Sequence, residues 1–216
     1  MIDLQLLTYL EEFISAERKE RFLEVLEERT KFITVAIEDV FQLHNTSAVI
    51  RSCEAFGIQN AHVIENRFDA RLDKNIAMGA QQWVDVRRHE DTKSCISHLR
   101  DEGYSIIATT PHDNSCLLKD FKIKEKIALF FGTEKEGLST DVLQEADGLL
   151  KIPMVGFTES LNISVSAAII LQHLTGKLKQ QDLPWQLSDS EKSDKRLAWT
   201  KKSIKSIDDI LSRFYG

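Results

Sequence analysis

The chain has 216 residues, of which 42% are apolar, and its formal net charge is −6. This length fits one domain with extensions or two small domains, and the apolar fraction is sufficient for a buried core. No apolar run approaches the ~18 residues of a membrane span, and the acidic N-terminus predicts no secretory signal. Three cysteines without Cys-x-x-Cys spacing indicate free thiols in a reducing compartment, so we expect a cytoplasmic protein without membrane partners.

Helices and strands alternate through the first half of the chain. Leu4 to Lys31 predicts one or two helices, the second from about Ala16. The next predicted elements are a strand at Ile33–Glu38, a helix capped by Asn45 or Thr46 and running to Phe56, a strand at Ala61–Glu65, a strand at Trp83–Arg88 and a helix at Asp91–Glu102. The segment from Asp69 to Gln82 gives no clear prediction of helix or strand.

The alternation continues in the second half. The predicted elements are strands at Ser105–Thr110 and Ile127–Phe131, a short helix at Ser139–Glu145, a strand at Gly148–Met154, a polar linker at Gln180–Asp194 and one amphipathic C-terminal helix that includes Leu197 and Phe214. Together these elements predict an α/β fold, with a mostly parallel sheet and helices on both faces.

The stretch from Ile152 to Leu174 is the most informative one. It passes from a strand through a polar loop into an apolar helix, a layout that builds ligand sites at the carboxyl edge of α/β sheets. The same pattern also fits an ordinary buried helix with a Ser or Asn cap. Spacing alone does not separate the two interpretations.

Three segments carry a more specific signal. They are Asn45–Arg51, Phe131–Ser139, and Ile152–Met154 followed by Ser160–Ala168. In this order they resemble the three signatures of the SPOUT methyltransferases, which use S-adenosylmethionine. The resemblance implies a C-terminal deep trefoil knot, flanking N- and C-terminal helices and a homodimer. The implied domain boundaries are residues 1–31 for an N-terminal extension, 32–177 for the methyltransferase core and 178–216 for the linker and last helix.

The resemblance also implies which residues form the site. Arg51 and Asn45 are the expected catalytic residues, with Arg51 acting either as a base on the ribose hydroxyl or as a clamp on the substrate phosphate. The expected cofactor contacts are Thr109, Gly132, Ile152 and Leu161, and the expected substrate contacts are Glu134, Ser160 and Asn162. Helix capping is the alternative for Asn45, Ser160 and Asn162, and a surface role is the alternative for Glu134. Gly132 would allow backbone to approach a ligand, and a turn at the end of the strand is the alternative.

The first of the three segments, Asn45–Arg51, indicates which RNA is the substrate. Its Asn-x-Ser-Ala-x-x-Arg pattern resembles the branch of the family that methylates tRNA guanosine at the 2′-oxygen, whereas ribosomal RNA relatives more often carry Gly at the position of Ser47. The implied function is methylation of a D-loop guanosine ribose, at position 18, in tRNA. The alternatives are a ribosomal RNA 2′-O-ribose methyltransferase and a non-catalytic knot-fold RNA-binding protein.

Other observations bear on partners and on competing classes. The net negative charge argues against nucleic acid, but basic residues between Lys192 and Lys205 form a candidate RNA-contact surface. The N-terminal helices carry mixed charges, unlike the arginine-rich helices of the tRNA relatives. No Gly-x-Gly pair supports a dinucleotide-dependent oxidoreductase, and no Gly-Lys-Ser/Thr supports a P-loop enzyme. Without closely spaced Cys and His residues, the sequence predicts no metal site.

Overall fold

The computed structural model describes residues 3–38, 43–65, 79–111, 114–133 and 136–216. Its contacts divide the chain into two compact units. One unit contains the N-terminal helices through Thr30 together with the chain from Gln186 onward, and the other is Lys31–Trp185. Among the described residues, no helix is both long and apolar enough to cross a bilayer.

The helices are α1 (Leu4–Glu11), α2 (Ala16–Glu27), α3 (Leu43–Ala55), α4 (Thr92–Asp101), α5 (Thr140–Glu145), α6 (Ile163–Leu178), α7 (Asp189–Ser203) and α8 (Ile207–Tyr215). The strands are β1 (Ile33–Glu38), β2 (Asn60–Ile64), β3 (Asp85–His89), β4 (Ser105–Thr109), β5 (Cys116–Leu117), β6 (Ile127–Phe131) and β7 (Gly148–Lys151). A short 3₁₀ turn at Ala80–Gln82 precedes β3.

The strands form one seven-stranded sheet in the order β3-β2-β1-β6-β4-β7-β5, and every neighbouring pair is parallel. Because the strands are parallel, their carboxyl ends lie along one edge of the sheet. The strands β4, β6 and β7 are central neighbours, and they end at Thr109, Phe131 and Lys151. This edge positions the loops that the sequence singled out.

Both faces of the sheet are buried, as predicted. Along β6, Leu129 contributes to a core with residues of α3 and α6, whereas its neighbour Phe130 contributes to a second core with residues of α4 and α5. Successive strand residues point to opposite faces, so an unbroken apolar run such as Ile127–Phe131 is the pattern of a strand covered on both sides. Burial of each large aliphatic side chain stabilises the fold by about 1.5–3 kcal/mol.

The start of α3 differs from the prediction. The helix begins at Leu43, so neither Asn45 nor Thr46 caps it, and both lie buried in its first turns. The amide Oδ1 of Asn45 instead accepts a hydrogen bond of 3.2 Å from Nδ2 of Asn162, at the start of α6. Asn is typical of caps because its side chain can bond backbone, but here a side chain from a distant segment provides the partner.

The C-terminal prediction was wrong in two respects. The expected linker ends early, because α7 begins at Asp189 with a reciprocal capping box between Ser188 and Glu191. The expected single amphipathic helix is two helices, since the backbone at Ile204 is extended (ψ 119°) and separates α7 from α8. The start of α7 is almost entirely polar, so hydrophobic spacing did not reveal it, although its cap and first-turn acids favour a helix.

The unit formed by both termini has its own small core and an ion-pair cluster. Leu6 and Leu10 pack with Ile204 and Ile210. The carboxylate of Glu11, only 8% exposed, pairs with Arg196 of α7 and, at 2.7 Å, with Lys19 of α2. Burial raises the pKa of Glu11, but hydrogen bonds and charge from Arg196 and Lys19 outweigh it and leave this pKa below its usual value.

Candidate active site

A cavity of about 390 Å³ opens at the carboxyl edge of the sheet. Its walls come from the ends of β4, β6 and β7 and from the loops that follow them. The four residues expected to contact a cofactor all line it, and so does Ser160; the four are Thr109, Gly132, Ile152 and Leu161. The fold therefore brings together side chains that are separated by more than 50 residues along the chain.

The end of β4 supplies a rigid wall. The hydroxyl of Thr109 donates a 2.7 Å hydrogen bond to the backbone carbonyl of Phe130 on β6. The backbone N–H of Thr110 donates to the carbonyl of Leu150 on β7 at 3.0 Å. These bonds hold β4 to both of its neighbouring strands at the mouth of the cavity. Because the Thr109 hydroxyl already donates its hydrogen to Phe130, we expect this side chain to affect ligand binding mainly through the shape of the wall.

The loop after β6 is folded tightly back on itself. Thr133 and Gly137 exchange two backbone hydrogen bonds of 3.0 Å, and Gly137 has a positive φ of 71°, which favours glycine. A Cβ placed on Gly132 would lie 2.2 Å from the carbonyl oxygen of Gly137 and 2.4 Å from the backbone nitrogen of Leu138. The backbone that approaches Gly132 so closely belongs to the protein's own loop, as the strand-end turn offered as the alternative for this glycine would require.

A buried carboxylate that the sequence analysis missed anchors this loop. Glu38, at the end of β1, is 2% exposed. Its two oxygens accept hydrogen bonds from the Ser139 backbone N–H (2.8 Å), the Ser139 hydroxyl (2.6 Å) and the Thr92 hydroxyl of α4. Ser139 in turn caps α5 by accepting from the N–H of Val142. Only the fold could reveal this role, since Glu38 and Ser139 lie 101 positions apart.

The third loop joins β7 to α6. Asn162 caps α6 by accepting a 2.8 Å hydrogen bond from the N–H of Ser164, so the capping alternative holds for this residue. Val155 and Phe157 of the loop are fully exposed, and Val165 and Ile169 on the same side of α6 are also exposed. The loop therefore presents an apolar surface beside the cavity.

The predicted catalytic residues lie outside the cavity lining. Asn45 is buried against Asn162, while Arg51 is exposed on α3 and makes no hydrogen bond or ion pair with any described residue. Asn45 and Arg51 are six positions apart on α3, which corresponds to a rise of about 9 Å along the helix axis. Glu134, the remaining predicted substrate contact, lies outside the described residues.

The cavity has the size and chemistry of a small-molecule site. Its volume lies within the ~300–1,000 Å³ of such sites. Apolar side chains, including Leu138 and Ile163, lie beside the carboxylates of Glu136 and Glu159. Apolar walls suit a flat aromatic group, and carboxylates favour a cationic one. A methyl donor with an adenine ring and a sulfonium centre matches this combination.

The fold and the site define a parallel α/β domain, covered on both faces, with a cavity of small-molecule size at the carboxyl edge of its sheet. A family model described as "SpoU rRNA Methylase family" matches residues 32–172. The chain belongs to this family. The match confirms the resemblance on which the sequence analysis relied.

Individual relatives agree with this assignment. A protein of Borreliella burgdorferi named tRNA (guanosine(18)-2′-O)-methyltransferase is 40% identical over 197 residues, covering 91% of this chain and 90% of that protein. The crystal structure of the A. aeolicus TrmH/SpoU tRNA modifying enzyme matches with a TM-score of 0.76 and 27% identity, over 87% of this chain and 97% of that one. The SpoU methyltransferase AviRb from Streptomyces viridochromogenes, in complex with the cofactor AdoMet, matches with a TM-score of 0.63 over 74% of this chain and 65% of that one. At 22% identity, this last match shows the fold alone.

Proposed function

We propose that this protein transfers a methyl group from S-adenosylmethionine to the 2′-hydroxyl of the guanosine ribose at position 18, in the D-loop of tRNA. The observation that carries the proposal is the cavity at the sheet edge, where the second and third signature segments meet the end of β4. The name of the Borreliella burgdorferi relative supports the reaction and its substrate.

The residues that would hold the donor are the four expected cofactor contacts, all of which line the cavity: Thr109, Gly132, Ile152 and Leu161. When bound, S-adenosylmethionine supplies an electrophilic methyl group on a sulfonium sulfur. The tight turn at Gly132 fixes one wall, and the third loop encloses the opposite side. Glu159 adds negative charge near a cationic ligand. Backbone and shape, more than charged side chains, would therefore position the donor.

Arg51 would grip the RNA and would not act as a base. Its pKa above ~12 means that deprotonation near pH 7 costs roughly 7 kcal/mol, and a neighbouring phosphate would raise that cost further. A charged guanidinium, by contrast, can clamp a phosphate with two hydrogen bonds and so orient the ribose hydroxyl. The exposure of Arg51 leaves it accessible to such a phosphate. Asn45 and Asn162, which bond to each other, would hold the start of α3 against the third loop.

The role of Arg51 has a direct test. Arg51→Lys should reduce the single-turnover rate of methyl transfer at least about 100-fold, because a point charge cannot reproduce the bidentate grip. Calorimetric affinity for S-adenosylmethionine should be unchanged, since Arg51 does not line the cavity. Arg88→Lys, at an exposed position of β3 outside the segments proposed to contact RNA, is the matched control. Full turnover by Arg51→Lys would contradict both the clamp and the base.

We also propose that the segments around the cavity form a deep trefoil knot within a core of residues 32–177. Two facts support this: the three loops that a knot would interlace line one cavity, and the backbone at Gly132 meets that of Gly137 and Leu138 without room for a methyl group.

A homodimer would complete the site. Arg51 does not line the cavity of its own chain, and an apolar surface that includes Val155, Phe157, Val165 and Ile169 is exposed beside that cavity. A second copy that covers this surface could present its own Arg51 to the neighbouring donor. Sedimentation should show a dimer at micromolar concentration. Val165→Asp should weaken this dimer, whereas Leu23→Asp, at a similarly exposed position of α2, should not. A stable monomer in the unaltered protein would remove this proposal.

The tRNA partner would also contact the flanking segments, residues 1–31 and 178–216. Within the basic C-terminal segment, however, Lys192 bonds Glu27 at 2.6 Å and Arg196 pairs with Glu11. These two cations stabilise the helical unit, so RNA contact would depend on others, such as Lys201 and Lys205. An RNA partner and a reducing environment for the thiols suit a cytoplasmic location.

Methylation of defined RNAs separates the candidate substrates. With labelled donor, a tRNA transcript that carries guanosine 18 should gain one 2′-O-methyl group, and a transcript with adenosine at that position should gain none. Labelling of ribosomal RNA alone would favour the second candidate function, which the description of the family model suggests. Donor binding without transfer to any RNA would indicate a non-catalytic RNA-binding protein.

A further inference from the structure

Three side chains of metal-ligand type meet outside the cavity described above. His62 on β2, His89 at the end of β3 and Cys95 on α4 are all buried, and one ligand atom from each lies within 4.8 Å of the others. They come from three separate elements and span 33 residues of sequence. The search for closely spaced Cys and His residues was therefore unable to detect them.

Their geometry is close to that of a tetrahedral zinc site. Nδ1 of His62 lies 3.0 Å from Nε2 of His89. With Zn–N bonds of about 2.0–2.1 Å and a Zn–S bond of about 2.3 Å, two ligand nitrogens lie about 3.3 Å apart and a nitrogen and sulfur about 3.5 Å. The two rings need to separate by only a few tenths of an ångström, and the Cys95 sulfur, which lies within 4.8 Å of both nitrogens, needs to approach by at most about 1.3 Å.

The ligand types suit a metal. A neutral imidazole offers one ring nitrogen as a ligand, and a thiol becomes a ligand when a cation displaces its proton.

A cavity beside His62 would admit a cation to the cluster, and nearby carboxylates would attract it. His62 also lines a smaller cavity of about 210 Å³, whose wall includes Asp85 and Glu102. Around Cys95, the carboxylates of Glu38 and Asp91 act against the single opposing charge of Arg87. His98 lies with its ring centroid 5.7 Å from that of His62, and its Nε2 is 2.9 Å from Arg87.

We propose that His62, His89 and Cys95 form a Zn²⁺ site, with a solvent molecule from the smaller cavity as the fourth ligand. The ion joins β2, β3 and α4 at one edge of the sheet. None of its three protein ligands lines the methyl-donor cavity. Neutral imidazoles and a thiolate are a ligand set that zinc uses in proteins, and thiolate excludes magnesium and calcium on grounds of softness.

Metal analysis of the tag-free full chain tests this site. After chelation and dialysis against Zn²⁺, we expect one bound zinc per chain. X-ray absorption at the zinc edge should show one sulfur at about 2.3 Å and nitrogen or oxygen ligands at about 2.0–2.1 Å. This readout needs no variant. Substoichiometric binding, or a ligand shell without sulfur, would overturn the proposal.

Variants assign the ligands. Cys95→Ser and His89→Gln should each weaken zinc binding at least 10-fold, measured by competition with a chromophoric chelator. The other two cysteines, Cys53 (buried) and Cys116 (exposed), provide matched controls: Cys53→Ser and Cys116→Ser should bind zinc as the unaltered protein does. If loss of zinc follows Cys116→Ser, the sulfur belongs to an exposed thiol and the proposed site is wrong.

Discussion

Replacing Gly132 by alanine tests the architecture of the candidate active site. The added Cβ would lie 2.2 Å from the carbonyl oxygen and 2.3 Å from the carbonyl carbon of Gly137, against the 3.4 Å or more of ordinary contacts. These are backbone atoms, so no side-chain rotation relieves the overlap. The turn must open by about 1 Å, a strain that costs about 1–3 kcal/mol.

The shift also stretches the two 3.0 Å hydrogen bonds between Thr133 and Gly137, each worth about 1 kcal/mol. The total is about 3–5 kcal/mol, which for a protein of this size lowers the melting temperature by roughly 6–20 °C. Thermal unfolding followed by circular dichroism measures this change. Calorimetry should show weaker binding of S-adenosylmethionine, because the displaced turn is a wall of the cavity.

Gly176→Ala is the matched control. Gly176 lies on the exposed side of α6, and a Cβ there meets nothing within 4 Å. Alanine should stabilise that helix by about 0.5–1 kcal/mol. Equal melting temperatures and equal donor affinities for Gly132→Ala and the unaltered protein would refute the account of the turn.

Three further predictions concern stability. Glu38→Gln should lower the free energy of unfolding by about 1–3 kcal/mol, because the amide nitrogen that replaces one carboxylate oxygen cannot accept the hydrogen bond from Ser139 at that position; an unchanged denaturation midpoint would show that the carboxylate does not anchor the loop. The depressed pKa of Glu11 means that its stabilising contribution is present above pH 4.5 and declines as the pH falls below it, so Glu11→Gln should flatten that part of a pH–stability curve, and parallel curves would contradict the assignment. Leu171→Ala, in the core, should cost about 2–5 kcal/mol in urea denaturation, whereas the exposed Gln172→Ala should stay within about 0.5 kcal/mol, and similar costs for both would place the core elsewhere.

Much of the fold was predictable because its elements carry strong local signals. β1 is rich in β-branched residues and β6 is an uninterrupted apolar run, and both were predicted with the bounds that the structure has. The predicted helix ends at Phe56 and Glu102 are each followed by a glycine with positive φ, Gly57 and Gly103. β5 was missed because two residues, Cys116 and Leu117, are too few to show a period.

The site was predictable only where a motif marked it. The residues expected to contact the cofactor came from three signature-like segments, and the fold places all four around one cavity. Glu38 was missed because its partners, Ser139 and Thr92, are brought to it by strand order and not by sequence spacing. The same limitation hid the cluster of His62, His89 and Cys95. The cap assigned to Asn45 was wrong because a tertiary partner, Asn162, replaced the local one.

The central claim is that this chain carries out 2′-O-methylation of guanosine 18 in tRNA. Its most direct test is mass spectrometry of a tRNA transcript after incubation with the purified protein and S-adenosylmethionine. The account predicts one added methyl group, recovered as 2′-O-methylguanosine from position 18 and absent with Arg51→Ala. An unmodified transcript, or a methyl group on a base, would contradict it.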